Sequence, residues 1–364
     1  MPRFVTGGQL IALVIALILS TAALIVPSIT ATMAEQSAWL APWMGLPVAL
    51  AVAYAAVELH RRYPDQTLIE YAPRILGKPL GKMVGFLYVW WFFHVTATIL
   101  QEHSLFMDST ILIATPGSVF YGSLALLGVY LLGQGLHVLV YLNVLMLPFM
   151  LALLMTALIL VSPNMDPGNL VPLISHGGLP QLLVASLGSA GWLAQVVLVS
   201  MFLPYVRPDA GATRAITAGL VITVFTLSLV TAGTIAVFNA SETVRLQFPV
   251  YSLTRFVFIS EFFNRLDALA VVVWVAAVTV KFGLWFFAAV LALAQLTGLR
   301  SPVGLLPAAA LFVVALSTVL YDNVAQMTTF LAEVMPLYSL VVFEVGLPAL
   351  LLVIALFQKK GVKG

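Results

Sequence analysis

Apolar segments long enough to cross a bilayer recur along the whole chain. About 20 apolar residues in a helix span a hydrocarbon core roughly 30 Å thick. Runs of this kind are expected as helical spans near 9–33, 38–60, 83–107, 118–136, 138–161, 181–205, 212–238, 266–294, 303–321 and 335–357. Only 8% of the 364 residues are charged, against about 25% in soluble domains. The expectation is an all-α integral membrane protein of ten helices, one polytopic domain over 1–364 with no segment left for a soluble domain. Leu10 to Pro27 follows only Arg3 and lacks a convincing small-residue cleavage site, so it is taken as the first span rather than a signal peptide.

The basic residues orient these spans. With a cytoplasmic amino terminus, the inner side receives Arg3, then Arg61, Arg62, Arg74, Lys78 and Lys82, then Arg207 and Arg214, Arg300, and finally Lys359, Lys360 and Lys363. Those are twelve of the 16 basic residues. The outer side receives Arg245, Arg255 and Arg265, and Lys281 falls inside a span. The positive-inside rule therefore favours cytoplasmic termini.

Two long connections carry amphipathic patterns: RRYPDQTLIEYAPRILGKPLG after span 2 and ASETVRLQFPVYSLTRFVFISEF after span 7. They are five spans apart and on opposite sides, as an inverted repeat produces, with repeat one about 9–161 and repeat two about 181–357. Span 1 carries Ser20, Thr21 and Pro27, and span 6 carries Gly188, Ser189 and Gly191, so breaks are expected at these matching places. The alternative is small residues at close helix contacts.

No constellation supports catalysis. Without cysteine, disulfides and thiolate chemistry are excluded. The histidines at 60, 94, 103, 137 and 176 lack metal-ligand spacing, and Gly133-Gln134-Gly135 lacks the third glycine of a nucleotide fingerprint. Neither an enzyme nor a cofactor is expected. Asn239-Ala240-Ser241 matches a glycosylation sequon, a tripeptide that arises often by chance.

Polar groups at membrane depth remain, where a charge costs at least about 2.5–3.5 kcal/mol and usually serves function. VVVWVAAVTVKFGLWFFAAV (271–290) places Lys281 eleventh of its twenty residues, about 15 Å from either side. That is too deep for simple snorkelling, and Ala277 and Ala288 on its face suit close helix packing. Gln195 follows the small residues of span 6 and suits either a binding role or interhelical hydrogen bonding. Trp91 and Val95 occupy the middle of span 3 as pocket wall or simple packing, with Glu102 toward its outer end. Glu344, mid span 10, is a candidate counter-ion for Lys281.

The run FFNRLDALAVVVWVAAVTVKFGLWFFAAVLALAQLTGL (262–299) resembles the signature of the B subunits of spore germinant receptors, the spore germination permease family. NLVPLI (169–174), MFLPY (201–205), FPVYSLTRF (248–256) and HRRYPDQTLIEYAPRILGKPLGK (60–82) resemble further family segments in the same order. The resemblance implies the amino acid, polyamine and organocation superfamily and a leucine-transporter-type five-plus-five inverted repeat with broken helices 1 and 6. It also implies a subunit of the spore inner membrane that senses a small nutrient, typically an amino acid, together with A and C subunits. By position, it implies a ligand pocket lined by Ser20, Thr21, Trp91, Val95, the Gly188–Gly191 break, Thr279 and Lys281. Many relatives have Pro-Phe-Gly-Glu where Trp192, Leu193, Ala194 and Gln195 stand, so an acidic group common in the family is neutral here.

From these features, a carboxylate is expected at amides exposed by the break in helix 1, and an ammonium at carbonyls freed in helix 6. Lys281 either stands where sodium-coupled relatives of the fold hold an ion or meets the ligand carboxylate. Two rivals to a sensor are an amino acid transporter, proton-coupled or uncoupled, and a pore with Glu102, Gln195, Thr279 and Lys281 lining a file of water.

Overall fold

The computed structural model describes residues 3–175, 177–256 and 266–358. Arg265, His176, Lys359, Lys360 and Lys363, and the part of the second amphipathic connection beyond Phe256, lie outside the described residues. Among the described residues the chain is almost entirely helical, and the only extended pairing is an isolated parallel bridge between Val5 and Val206. The long helices are α1 (Gly7–Ala34), α2 (Ala41–Arg62), α4 (Lys78–Thr110), α5 (Gly117–Gly133), α6 (Leu136–Val161), α7 (Gly178–Leu193), α8 (Ala212–Arg245), α10 (Leu266–Thr297), α11 (Leu306–Leu320) and α13 (Leu347–Phe357). Short helices α3 (Leu68–Leu76), α9 (Pro249–Phe256) and α12 (Val324–Thr329) complete the set.

Eight helical stretches among the described residues are long and apolar enough to cross a membrane. The first of these, Gly7–Arg62, has 56 residues and would be about 84 Å long if straight. It is divided at Glu35, whose φ of 49° leaves the helical region and opens a 3₁₀ turn into α2. The ten-span expectation counts this stretch as two and adds the 17-residue α5.

α1 is apolar on every side and correspondingly buried on every side. It packs on α8, α7, α10, α6 and α9, which makes it the axis of the bundle. α10 is the second central element, against α4, α6, α1 and α5. Around them, Leu126, Tyr130, Leu311 and Val319 expose bare apolar side chains on α5 and α11, surfaces suited to lipid.

Both amphipathic connections form helices where the pattern puts them. α3 opens on a capping box in which the Thr67 side chain and Glu70 satisfy each other's backbone amides. It buries Leu68, Ile69, Tyr71, Ala72 and Ile75. α9 buries Val250, Tyr251 and Leu253. One lies between α2 and α4, the other between α8 and α10.

The expected breaks need correction. α1 runs as an unbroken α-helix through Ser20 and Thr21, because the Ser20 hydroxyl bonds back to the Ala16 carbonyl at 2.6 Å and satisfies itself without opening the backbone. Gly188, Ser189 and Gly191 also lie inside an intact helix. The departure from α geometry in span 6 comes just beyond them, where Ala194–Met201 continues as a 3₁₀ helix. The small residues instead permit close approach: a Cβ on Gly188 would lie 3.1 Å from Ile29 Cγ2. An irregularity that no sequence signature announced leads into span 10 and runs through its first half, π-helical geometry over Phe330–Val334 and Pro336–Gly346. Such insertions are rare and cluster at functional sites.

Gly81 tests the α3–α4 contact. A Cβ there would lie 2.2 Å from Pro73 Cα, a backbone atom that no rotamer change can move. Gly81→Ala is expected to destabilise the purified protein by about 1–3 kcal/mol, read as a lowered thermal unfolding midpoint in detergent. Gly122→Ala, whose Cβ meets nothing within 4 Å, should leave the midpoint unchanged or slightly raised.

Candidate functional site

Thr21 of α1 joins three elements. Its Oγ1 accepts from Lys281 Nζ of α10 at 2.7 Å and from Trp192 Nε1 of α7 at 3.1 Å. Lys281 is 1% exposed and is among the largest fully buried side chains, with Ala277 and Ala288 buried on the same helix. Its ammonium points into the bundle. An ammonium carries three donors, and Thr21 accounts for the one protein hydrogen bond found for it among the described residues.

These groups border a cavity that is also lined by Val95 and Glu102 of α4, Gly188 and Gly191 of α7, and Gln195 of the 3₁₀ continuation. Leu331, Met335 and Pro336, from the π-helical region, close another side. Glu102 Oε1 and Gln195 Oε1 are buried and have no protein hydrogen-bond partner. Spare donors on Lys281 thus share one cavity with spare acceptors on Glu102 and Gln195. Buried polar atoms are rarely left so, and an unpaired one calls for a specific explanation. The space is tight, with about 20 Å³ open to a water centre, enough for a single water.

The remaining sequence candidates are placed elsewhere. Ser20 accepts the Trp274 indole N–H on its carbonyl at 2.8 Å and borders a separate apolar cavity with Phe106 and Met150. Ser189 donates to the Ala41 and Ser186 carbonyls. The Thr279 hydroxyl turns back to Val275 O at 2.8 Å, so the four residues proposed for a water file do not share one lining. Trp91 is fully buried, stacks on Phe343 with ring centroids 5.2 Å apart and donates to Ser339 Oγ at 2.9 Å. Glu344 forms no ion pair with Lys281; it accepts from Ser339 Oγ at 2.8 Å, and its other oxygen has no protein partner. Sequence reasoning did not single out Trp192 or Ser339 as site residues. Each is hydrogen-bonded to a residue distant in sequence, Trp192 to Thr21 and Ser339 to Trp91, for which no local pattern exists.

The two ends of the bundle differ. At the amino-terminal end, Phe4 and Val5 donate to the Tyr205 carbonyl, Arg207 donates to the Val5 carbonyl at 2.9 Å, and Arg3 Nη2 meets Asp65 Oδ1 at 2.5 Å. The Arg3 guanidinium holds the exposed Asp65 carboxyl below its ordinary value. This contact is complete above the ordinary carboxylate range and is lost as pH falls through the lowered value. At the far end of α8, a vestibule of about 530 Å³ bordered by Arg245 and Glu333 reaches down to Gly188 and Pro336, which also line the central cavity. The vestibule thus approaches the central cavity from the far end of α8.

The fold of this bundle matches several solved structures. MhsT in complex with L-phenylalanine matches with a TM-score of 0.66 at 14% identity over 97% of this chain and 89% of that one. A Na⁺-coupled sialic acid symporter matches at 0.63 and 13% identity, covering 97% and 79%. Mhp1, a nucleobase-cation-symport-1 family transporter in a closed conformation with bromovinylhydantoin bound, matches at 0.60 and 16%, covering 92% and 78%. Residues 5–327 match the family described as spore germination protein, and the chain belongs to that family. Relatives in Bacillus subtilis (strain 168) include spore germination protein KB, 26% identical over 97% of this chain and 94% of its own length. Spore germination protein YndE is 22% identical over 99% and 98%.

Thr21→Val leaves the Lys281 ammonium and the Trp192 indole without their acceptor while conserving volume. It is expected to destabilise the protein by about 1–3 kcal/mol or more, since one of the stranded donors is charged. Thr21→Ser, which restores the oxygen, should recover most of that loss in the same thermal unfolding measurement.

Proposed function

We propose that this protein is the ligand-sensing subunit of a spore germinant receptor, binding a small amino acid at the cavity beside Lys281. The observation that carries the reading is the concurrence there of spare donors on Lys281 with buried, unpartnered acceptors on Glu102 and Gln195. A zwitterion matches that set, its carboxylate toward Lys281 and its ammonium toward Glu102 and Gln195. Side chains thus take the role expected of helix breaks, which α1 does not supply.

Lys281 tethers α10 to α1 through Thr21, as a fixed cation can without an ion gradient, while its other donors serve the ligand. The ten spans form a single domain of two inverted repeats in the spore inner membrane, with both termini cytoplasmic, so the vestibule faces outward toward arriving nutrient. Because the cavity now admits little more than a water, the ligand must bind a widened arrangement. The difference in affinity between the two arrangements is what can be passed to A and C subunits. Transport of the amino acid is the second reading, favoured by the transporter fold of the structural neighbours.

Thermal-shift screening of the twenty amino acids should find a stabilising ligand, with the same shift in sodium and choline chloride; a sodium requirement would count against the fixed-cation role. Lys281→Met, keeping length without charge, should lower ligand affinity and the germination response by roughly tenfold or more, on the scale of a charged hydrogen bond. An unchanged response at normal protein level would sink the assignment. In liposomes, binding without accumulation supports a sensor, whereas robust accumulation supports the permease.

A further inference from the structure

We propose a second binding site, for a phosphate-bearing anion of the kind an acidic phospholipid head group presents, at the amino-terminal end of the bundle. A cavity of about 470 Å³ there is lined by Arg3, Arg61, Arg207 and Arg214 and by no carboxylate. The four arginines come from four different segments: the residues before α1, the end of α2, the loop after the 3₁₀ stretch, and the start of α8.

Their partners leave an excess of positive charge. Arg3 is paired with Asp65, and Arg207 with Asp209. Glu58 serves Arg62 at 2.9 Å and lies 3.9 Å from Arg61, which therefore holds only the long end of a shared contact. Arg214 forms no ion pair among the described residues, and both it and Arg61 are exposed. Arg61 Nη2 also donates to Thr213 Oγ1 at 3.3 Å, which holds its guanidinium across the gap between α2 and α8.

The chemistry of the occupant follows from the donors. Guanidinium groups present planar forks that match phosphate oxygens, and they are less strongly hydrated than ammonium groups. The depth favours a lipid source: the cavity lies where α2 ends and α8 begins, both of them in apolar stretches that qualify as membrane spans. Val57, Leu203 and Val206 wall it toward the bundle. Basic pockets between membrane helices take anionic head groups, and each Lys or Arg near an anionic membrane surface adds about fivefold to the attraction. An anion seated here would join the four segments that carry these arginines.

Native mass spectrometry of the full-length protein released from micelles with equimolar phosphatidylglycerol and phosphatidylcholine tests this. The wild type should retain phosphatidylglycerol in clear excess. Arg61→Gln/Arg214→Gln should reduce that preference on the order of tenfold or more, given about fivefold per arginine. Arg61→Lys/Arg214→Lys should keep most of it, which separates lost charge from lost folding. Displacement of phosphatidylglycerol by millimolar inorganic phosphate, itself retained, supports the same site with a soluble source. A wild-type ratio near one, an equal ratio in the glutamine variant, or retention of a polyglutamate peptide with neither phosphate probe overturns the proposal.

Discussion

In hydrocarbon a polar group has no water to return to, so each one must find its partner inside the protein. For the backbone this means helices, and the described residues are helical almost throughout. For side chains it favours hydroxyls, indoles and charges that a specific neighbour can satisfy. Thr21 is where several such demands meet: one hydroxyl oxygen accepts from the ammonium of α10 and the indole of α7. Those two helices, held against the axial α1 by the same atom, each contribute to the walls of the central cavity.

A second polar system lies next to it. Trp91 donates to Ser339, Ser339 to Glu344, and Tyr88 to the Phe343 carbonyl at 2.8 Å. These bonds tie α4 to the π-helical stretch, whose other residues close the cavity. A π stretch closes its hydrogen bonds one residue further along the chain than an α-helix and is rare beyond a single turn. Anchoring it through buried hydrogen bonds lets an irregular element keep a defined position beside the site. Buried side-chain atoms without a protein partner remain at several places, among them His94 Nδ1, Gln101 Oε1, Trp285 Nε1 and Glu344 Oε2, and the ones that line the central cavity are the oxygens of Glu102 and Gln195.

Much of this was legible in the sequence, for identifiable reasons. Apolar runs of bilayer length announce helices. The patterns around Leu68–Leu76 and Pro249–Phe256 announce amphipathic connecting helices, because amphipathic periodicity is local. A lysine in the middle of an apolar run must face the protein interior, because lipid offers it nothing. Ser20, Thr21 and the glycines of α7 misled as helix breakers because weak helix propensity is easily overridden. In a membrane the intrahelical hydrogen bond is worth keeping, serine can bond to its own helix, and glycine can serve packing. Trp91 likewise has the composition of a pocket wall, yet it is buried among Phe343, Trp285 and Tyr88.

The sequence by itself determined that the chain is helical, lies in a membrane, and buries one lysine near the middle of a span, since each follows from the cost of placing a given group in hydrocarbon. Only the tertiary structure decided that this lysine bonds Thr21 rather than pairing with Glu344, that Trp192 shares the same oxygen, and that Glu102 and Gln195 border the cavity while Ser20, Ser189 and Thr279 turn away. Each of those outcomes depends on the rotation and register of helices distant in sequence. Those are set by the packing of the whole bundle, to which no single segment holds the answer.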